Sequence, residues 1–307
     1  MTNAQGLLPR EGRRRSPQIP DEQRRRLVFL VRSARASALS SKQEALLERD
    51  GNAVRESEEF RCIAAQIATI VRELDEIPTP EGGEDRESYE LALAAAENAH
   101  GRSLHLMGDY QQALTVFQQA RARVPDMVDP YIGIAAAYLK LKQEGDRRWA
   151  EHTEDALEKA LELSPLNEKA HYYFGRLEAE RGNYEAAKQH FEAGGRSHHW
   201  NLYQLARIAH LEGDDDLAVR HLRGSIKLLQ RPDVRYELFI RCVLRKAQRQ
   251  PPVELSVLRE AERYGKALQK AGEDRAAKTR AGKLLARVVA LLSGEETDPD
   301  PDDPGPM

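Results

Sequence analysis

The side chains that could bind a metal ion or transfer a proton are scattered along this sequence. It contains nine histidines, but no His-Glu-x-x-His motif, and the only adjacent pair is His198–His199. Neighbouring residues of a helix point about 100° apart, so this pair cannot hold one ion from a single helix face. The aspartates at 298, 300 and 302 resemble the start of a calcium loop but lack its glycine and its final glutamate. We therefore predict no metal site.

Motifs for nucleotide binding or nucleophilic catalysis are also absent from the sequence. It has no phosphate-binding GxxxxGK[ST] loop, no GxGxxG motif after a strand, and no serine within an elbow motif. The two cysteines, Cys62 and Cys242, lie far apart and have no CxxC partner. That pattern argues against a disulfide framework or a zinc site and is typical of a reducing compartment. We expect a cytoplasmic protein that is not an enzyme and has no cofactor.

Charge is distributed unevenly along the chain. Residues 1–36 contain nine arginines and three acidic residues, and residues 231–287 contain fifteen lysines and arginines and seven acidic residues. The segment 37–230 is net acidic, and the last twenty residues contain six acidic residues and no basic one. Both basic segments could face an anionic partner such as a nucleic acid. Alternatively, they only keep a helical protein in solution, and the absence of a helix-turn-helix motif favours this interpretation.

The composition predicts an all-α protein. Charged residues make up 32 % and aromatic residues 6 % of the chain, and valine and isoleucine never form the alternating runs of strands. No segment approaches the roughly 20 apolar residues of a membrane span, so we predict no membrane insertion.

The N-terminal part of the chain divides into three predicted segments. Residues 1–20 lack periodicity and predict a disordered basic arm. Apolar residues at spacings of three and four predict a helical hairpin over 21–77, whose first helix ends near Asp50-Gly51. Two prolines and two glycines within Pro78–Gly83 predict a linker over 78–87.

Beyond the linker the chain repeats one pattern of small residues. Each unit has a small anchor residue, a glycine seven residues later, and a second small residue twelve residues after the anchor that precedes a Phe or Leu. The three sets are Gly101, Gly108, Ala113 and Phe117; Gly175, Gly182, Ala187 and Phe191; and Ala206, Gly213, Ala218 and Leu222. Small residues allow two antiparallel helices to approach, and a glycine between them supplies the positive φ that ends the first helix.

This spacing resembles that of the tetratricopeptide repeat, a helix–turn–helix unit of 34 residues. The resemblance covers about residues 90–230. It implies a right-handed α-solenoid with four repeats over 88–230. The second unit, from Tyr131 to Pro165, has about six more residues than the family norm around Gly145, which predicts a longer first helix or loop.

Three further helical stretches follow the repeats, at 233–249, 253–271 and 273–292. The basic segment 231–292 forms either a degenerate fifth repeat or a hairpin with a capping helix, because an array of repeats must cover its last apolar face. The acidic, proline-rich residues 293–307 predict a disordered tail.

The resemblance also implies a peptide-binding groove. In the tetratricopeptide fold, positions 2, 5, 9 and 12 of the first helix of each unit point into a concave face. In this sequence they are Asn98, Arg102, His105, Asp129, Ile132, Leu139, Lys169, Tyr172, Arg176, Trp200, Tyr203, Arg207 and His210. Aromatic side chains beside cations favour an acidic or carboxylate-ended ligand. Alternatively, the rings pack between helices and the arginines pair with acidic residues.

The residues therefore support an adaptor or assembly factor that binds a peptide or helix of another protein in the concave groove of its repeats, with an acidic partner favoured by the cations. The alternative is a nucleic-acid-associated regulatory protein that uses its basic N- and C-terminal segments. The N-terminal hairpin is a second contact surface in the first interpretation, either for a client or for another copy in a homo-oligomer.

Overall fold

The computed structural model describes residues 21–50, 52–142, 148–195, 198–272 and 275–295. Within these ranges the chain forms thirteen α-helices, one short 3-10 helix and no strand, so the all-α prediction is confirmed. The predicted arm 1–20, the additional loop residues near Gly145 and residues 296–307 of the predicted tail lie outside the described residues. None of the described helices is long and apolar enough to cross a membrane.

The helices follow one another as antiparallel hairpins. A short 3-10 helix (Asn52–Glu56) connects the first two. In chain order they are α1 (Asp21–Asp50), α2 (Glu58–Asp75), α3 (Gly83–Met107), α4 (Tyr110–Arg123), α5 (Val128–Leu141), α6 (Trp149–Leu163), α7 (Glu168–Arg181), α8 (Tyr184–Ala193), α9 (His199–Leu211), α10 (Asp215–Leu228), α11 (Val234–Arg249), α12 (Leu255–Ala271) and α13 (Arg275–Leu292).

The first helix packs against both α2 and α3. The rings of Phe29 and Tyr89 lie 5.2 Å apart near the beginning of α1 and α3, and Glu44 pairs with Arg102 near the end of both helices. The two helices are therefore parallel, and α2 runs antiparallel to them, with the Tyr89 hydroxyl donating to the Leu74 carbonyl. One apolar core joins all three helices, so the N-terminal hairpin stacks on the repeats and is not a separate unit.

The connection between α2 and α3 is shorter than the predicted linker 78–87. Helix α3 begins at Gly83, and its first turn contains Glu84 and Asp85. Carboxylates at this position are stabilised by the positive end of the helix dipole, and both also pair with Arg26 of α1. These interactions extend the helix toward its N-terminus, into a segment whose glycines predict a loop.

The predicted turns at Gly108, Gly182 and Gly213 are confirmed. Their φ values are +91°, +83° and +85°, in the left-handed region that glycine adopts without a steric penalty. The next helix then begins with a capping side chain. Asp109 accepts a hydrogen bond from the Gln112 amide at 3.1 Å, and other hairpins start similarly.

The phenylalanines of the repeat fill the space that the anchor glycines leave. A Cβ atom at Gly101 would lie 2.7 Å from the Phe117 ring, and one at Gly175 would lie 2.7 Å from the Phe191 ring. Phe117 also packs against Gly133 of the following unit. One buried ring therefore sets the distance between α4 and the first helices of two successive units.

We expect Gly101→Ala to destabilise the protein although alanine favours helix. The overpacked ring should cost about 1–3 kcal/mol, which exceeds the roughly 1 kcal/mol gained in helix propensity. Urea unfolding measures the difference. Gly282→Ala in α13 is the matched control, because its Cβ would meet only the flexible end of Gln269. Adding Phe117→Leu to the Gly101→Ala variant should restore part of the loss, and no loss in the single variant would contradict this account.

The C-terminal helices continue the array and then close it. Helix α11 packs on α10 and α12, and α13 packs on α12 and α11, which corresponds to a hairpin followed by a capping helix. Gly265 allows α13 to approach α12, since a Cβ there would lie 3.1 Å from Leu285. The described start of the predicted tail, 293–295, caps α13 through the Glu295 amide, which donates to the Ala290 carbonyl at 2.9 Å.

Candidate functional site

The first helices of successive hairpins form one face of the array, which we call the groove. Helices α3, α5 and α7 contact one another in order, and α9 contacts α11. The residues predicted to bind a peptide all lie on α3, α5, α7 and α9. The structure brings those of α7 and α9 together and separates several of the others from the groove.

Six half-buried rings form a continuous series across α7 and α9, which we call the aromatic row. Successive ring centroids are 5.1, 5.7, 5.2, 5.2 and 5.6 Å apart. In spatial order the rings belong to Tyr173, Tyr172, His198, His199, Trp200 and Tyr203. Repeat register identified Tyr172, Trp200 and Tyr203. It missed the other three because they occupy positions that the family pattern does not direct into the groove.

Three predicted cations lie beside this row without a carboxylate partner in the described part of the chain. The Arg176 guanidinium is 5.8 Å from the centre of the Tyr172 ring and 5.9 Å from that of Tyr173. Arg207 is exposed and donates to Gln204 at 3.0 Å. Lys169 is exposed near the start of α7. The arrangement offers apolar faces and positive charge along one side of the groove.

The end of α1 bounds this groove. Arg102 pairs with Glu44 at 2.5 Å, so at this position the predicted groove arginine takes part in a structural ion pair. Farther along, Arg231 donates to the Leu47 carbonyl at 2.7 Å and also to the Glu48 carbonyl. A guanidinium is favourable at these last carbonyls of a helix. The last turns of α1 therefore reach from α3 to the segment before α11.

Other predicted groove residues are buried. Asn98 is 5 % exposed, and Ile132 and Leu139 of the second unit are 5 % and 4 % exposed. Only Asp129 of that unit's predicted set is exposed. Burial removes these side chains from contact with a ligand, so the α5 part of the predicted set contributes packing.

His210 is the clearest correction to the predicted site. It is 3 % exposed and lies between α9, α10 and α11, where its Nδ1 is 2.8 Å from Asp215 and 3.4 Å from the Cys242 sulfur. The repeat register directs this position into the groove. The wide core joining α9 to α13 instead covers the end of α9.

This buried cluster resembles a metal site, because His210, Asp215 and Cys242 offer ligand atoms within 4.8 Å of one another. The Arg245 guanidinium occupies the same place, however, with Nη2 2.6 Å from Asp215 Oδ1 and 2.5 Å from His210 Nδ1. Burial alone would raise the pKa of Asp215, but hydrogen bonds from His210 and Arg245 hold it below its usual value. The cluster is a charge pair that joins three helices.

A second group of titratable residues lies where α3, α5 and α7 meet. Burial, followed by the charges of Lys140, Arg176 and Arg55, lowers the pKa of His105 to about 4. Burial and the charges of Arg176 and Arg55 also lower the pKa of Lys140. Repeat register identified His105 and Arg176. It gave no signal for Arg55, which lies outside the repeats, or for Lys140, which follows the last groove position of its helix.

Comparison with known proteins agrees with this architecture. The sequence matches no protein-family model and no curated protein. Among solved structures, a thermophilic tetratricopeptide-repeat protein of Thermus thermophilus is similar with a TM-score of 0.53 and 16 % identity, over 69 % of this chain and 98 % of that chain. PilF of Pseudomonas aeruginosa is similar with a TM-score of 0.52 and 16 % identity, over 65 % and 84 %. The chain is therefore an α-solenoid with the tetratricopeptide-repeat fold.

Proposed function

We propose that this protein is a non-enzymatic adaptor or assembly factor that binds a peptide or helix of another protein in its groove. The observation that carries the proposal is the aromatic row, flanked by cations that have no carboxylate partner among the described residues. Half-buried rings present large apolar surfaces that are already ordered, which reduces the entropic cost of binding. Tyrosine, tryptophan and arginine side chains are also the residue types that dominate binding energy at protein interfaces.

The charges beside the row favour an acidic ligand. A guanidinium can take a carboxylate in bidentate fashion, and such charge-assisted hydrogen bonds are about twice as strong as neutral ones. Arg176 and Arg207 occupy equivalent places in successive units, one after each anchor. A peptide that lies along the row would therefore place apolar residues on the rings and carboxylates on the arginines.

The test is capture of partner proteins from the native organism, with variants that differ only in the location of the changed charge. Arg176→Glu combined with Arg207→Glu alters the groove. Arg61→Glu combined with Arg220→Glu makes the same change on exposed residues of α2 and α10, the second helices of their hairpins. A partner captured by the wild type and the α2/α10 variant but not by the groove variant supports the proposal. Equal capture by all three would refute it.

A second candidate function rests on the basic C-terminal helices. Exposed cations recur on one side of α12 at Arg259, Arg263, Lys266 and Lys270, at spacings of three and four. Lys266 pairs with Glu262 at 2.5 Å, and the Arg263 guanidinium is 5.2 Å from the Tyr264 ring centre. These internal partners favour a role in solubility over nucleic-acid binding.

Accordingly, we expect duplex and single-stranded DNA to bind at best weakly in gel-shift assays at physiological salt. A few exposed cations on a net acidic protein release few counterions. Submicromolar binding that weakens steeply with added salt would instead establish the nucleic-acid function, and charge reversal at Lys266 and Lys270 would then locate the interface.

A further inference from the structure

The group around His105 contains three cations that belong to three different segments. Arg55 comes from the 3-10 helix after α1, Lys140 from the end of α5 and Arg176 from α7. All three charges act on the His105 imidazole, and those of Arg55 and Arg176 also act on Lys140. Like charges at this separation repel one another, and their convergence requires compensation from another source.

The protein itself does not supply that compensation among its described residues. Neighbouring cations in the same region do have carboxylate partners. Lys142 pairs with Glu180, Arg181 pairs with Glu154 at 2.6 Å, and Arg102 pairs with Glu44. Arg55, Lys140 and Arg176 make no such pair in the described part of the chain, although acidic residues are abundant in this segment.

Two polar atoms of the group are buried and have no hydrogen-bond partner. They are Arg55 Nε and His105 Nδ1. An arginine Nε–H can only donate, and leaving a buried donor unpaired costs free energy. Each such atom in a folded protein needs an explanation, and an unfilled ligand site is one of them. An acceptor atom between these side chains would satisfy Arg55 and reduce the repulsion among the cations.

We infer that Arg55, Lys140, Arg176 and His105 form a binding pocket for a phosphate group carried by the peptide in the groove. A carboxylate has one negative charge and two oxygens, which would leave most of the positive charge uncompensated. A phosphate monoester carries close to two negative charges and three acceptor oxygens. The assignment to a peptide rests on the proposed function, whereas the phosphate pocket itself does not.

The surroundings of the pocket select a single phosphate group over a polyanion. The segment 37–230 is net acidic, and carboxylates of α1 lie close to the groove. Glu44 acts on Tyr173 and Glu48 acts on His198. A nucleic-acid strand along the row would place successive phosphates against these carboxylates. One phosphoryl side chain at the Tyr173 end of the row would avoid them.

The direct test is binding of inorganic phosphate to the full-length protein, measured by calorimetry and by the NMR signals of His105. Phosphate should bind the wild type and raise the pKa of His105, since a bound anion offsets the three cations. Lys140→Gln should weaken binding by about tenfold or more. Lys142→Gln is the matched control, because it removes the same charge two residues away from a lysine that already has a partner. Arg55→Gln should behave like Lys140→Gln.

Three outcomes would overturn the inference. The first is equal binding of phosphate by the wild type and Lys140→Gln. The second is binding of acetate as tight as that of phosphate, which would assign a carboxylate. The third is tighter, Lys140-dependent binding of a 5′-phosphorylated oligonucleotide than of a phosphoserine peptide.

Failure of the two proposals is distinguishable. Phosphate binding without capture of a partner leaves the pocket and removes the adaptor. Arg207-dependent capture of a partner without phosphate binding leaves the adaptor and removes the pocket.

Discussion

Replacing Arg176 and Arg207 together by glutamate should reduce partner binding by about tenfold or more, because each lost charge-assisted contact is worth about 1.5–3 kcal/mol. The inserted carboxylates would also repel an acidic ligand. Helicity and melting temperature should change little, since exposed charges contribute roughly 0–1 kcal/mol to folding. Affinity for the captured partner, together with circular dichroism and thermal unfolding, measures both quantities.

Two results would contradict this expectation in different ways. If the double variant unfolds, the arginines stabilise the fold through contacts such as that between Arg176 and the two tyrosine rings. If it folds and binds normally, the partner occupies another surface, and the exposed apolar residues of α1, Leu27, Leu30 and Val31, become the better candidate. Arg61→Glu with Arg220→Glu controls for the change in net charge.

Arg235→Met should produce the largest loss of stability, roughly 3–5 kcal/mol. The Arg235 side chain is fully buried. It donates to Asp233 at 2.7 Å and to the Ser225 carbonyl at 3.0 Å, and its guanidinium lies 5.8 Å from the Trp200 ring centre. Methionine fills a similar volume but leaves the carboxylate and the carbonyl without a donor, and removing one partner of a buried pair is costly.

The measurement is the free energy of unfolding in urea. Arg249→Met is the control, because Arg249 is exposed at the end of the same helix, and it should change stability by less than about 0.5 kcal/mol. Since Arg235 connects α9, α10 and α11, its loss should also loosen the C-terminal part of the aromatic row. A loss no larger than that of the control would show that the buried pair contributes nothing net.

Local and repeated features of this protein could be predicted from its sequence. The anchor glycines, the turn at Gly182 and the ring of Phe191 interact within one hairpin or with the next one. Each repeat therefore records its own packing in spacings of four, seven and twelve residues. Helical hairpins depend mainly on such short-range contacts, which is why their existence and their turns follow from the sequence.

The contents of the groove depended on contacts that no repeat records. Arg231 reaches the end of α1 across most of the chain, Arg55 joins the repeats from outside them, and His210 is buried because α11 covers it. These contacts arise because small rotations between successive hairpins accumulate into a curve that brings distant segments together. Register fixes which side of its own helix a residue occupies. Whether another element then covers, pairs or exposes that side is decided only when the array closes on itself in three dimensions.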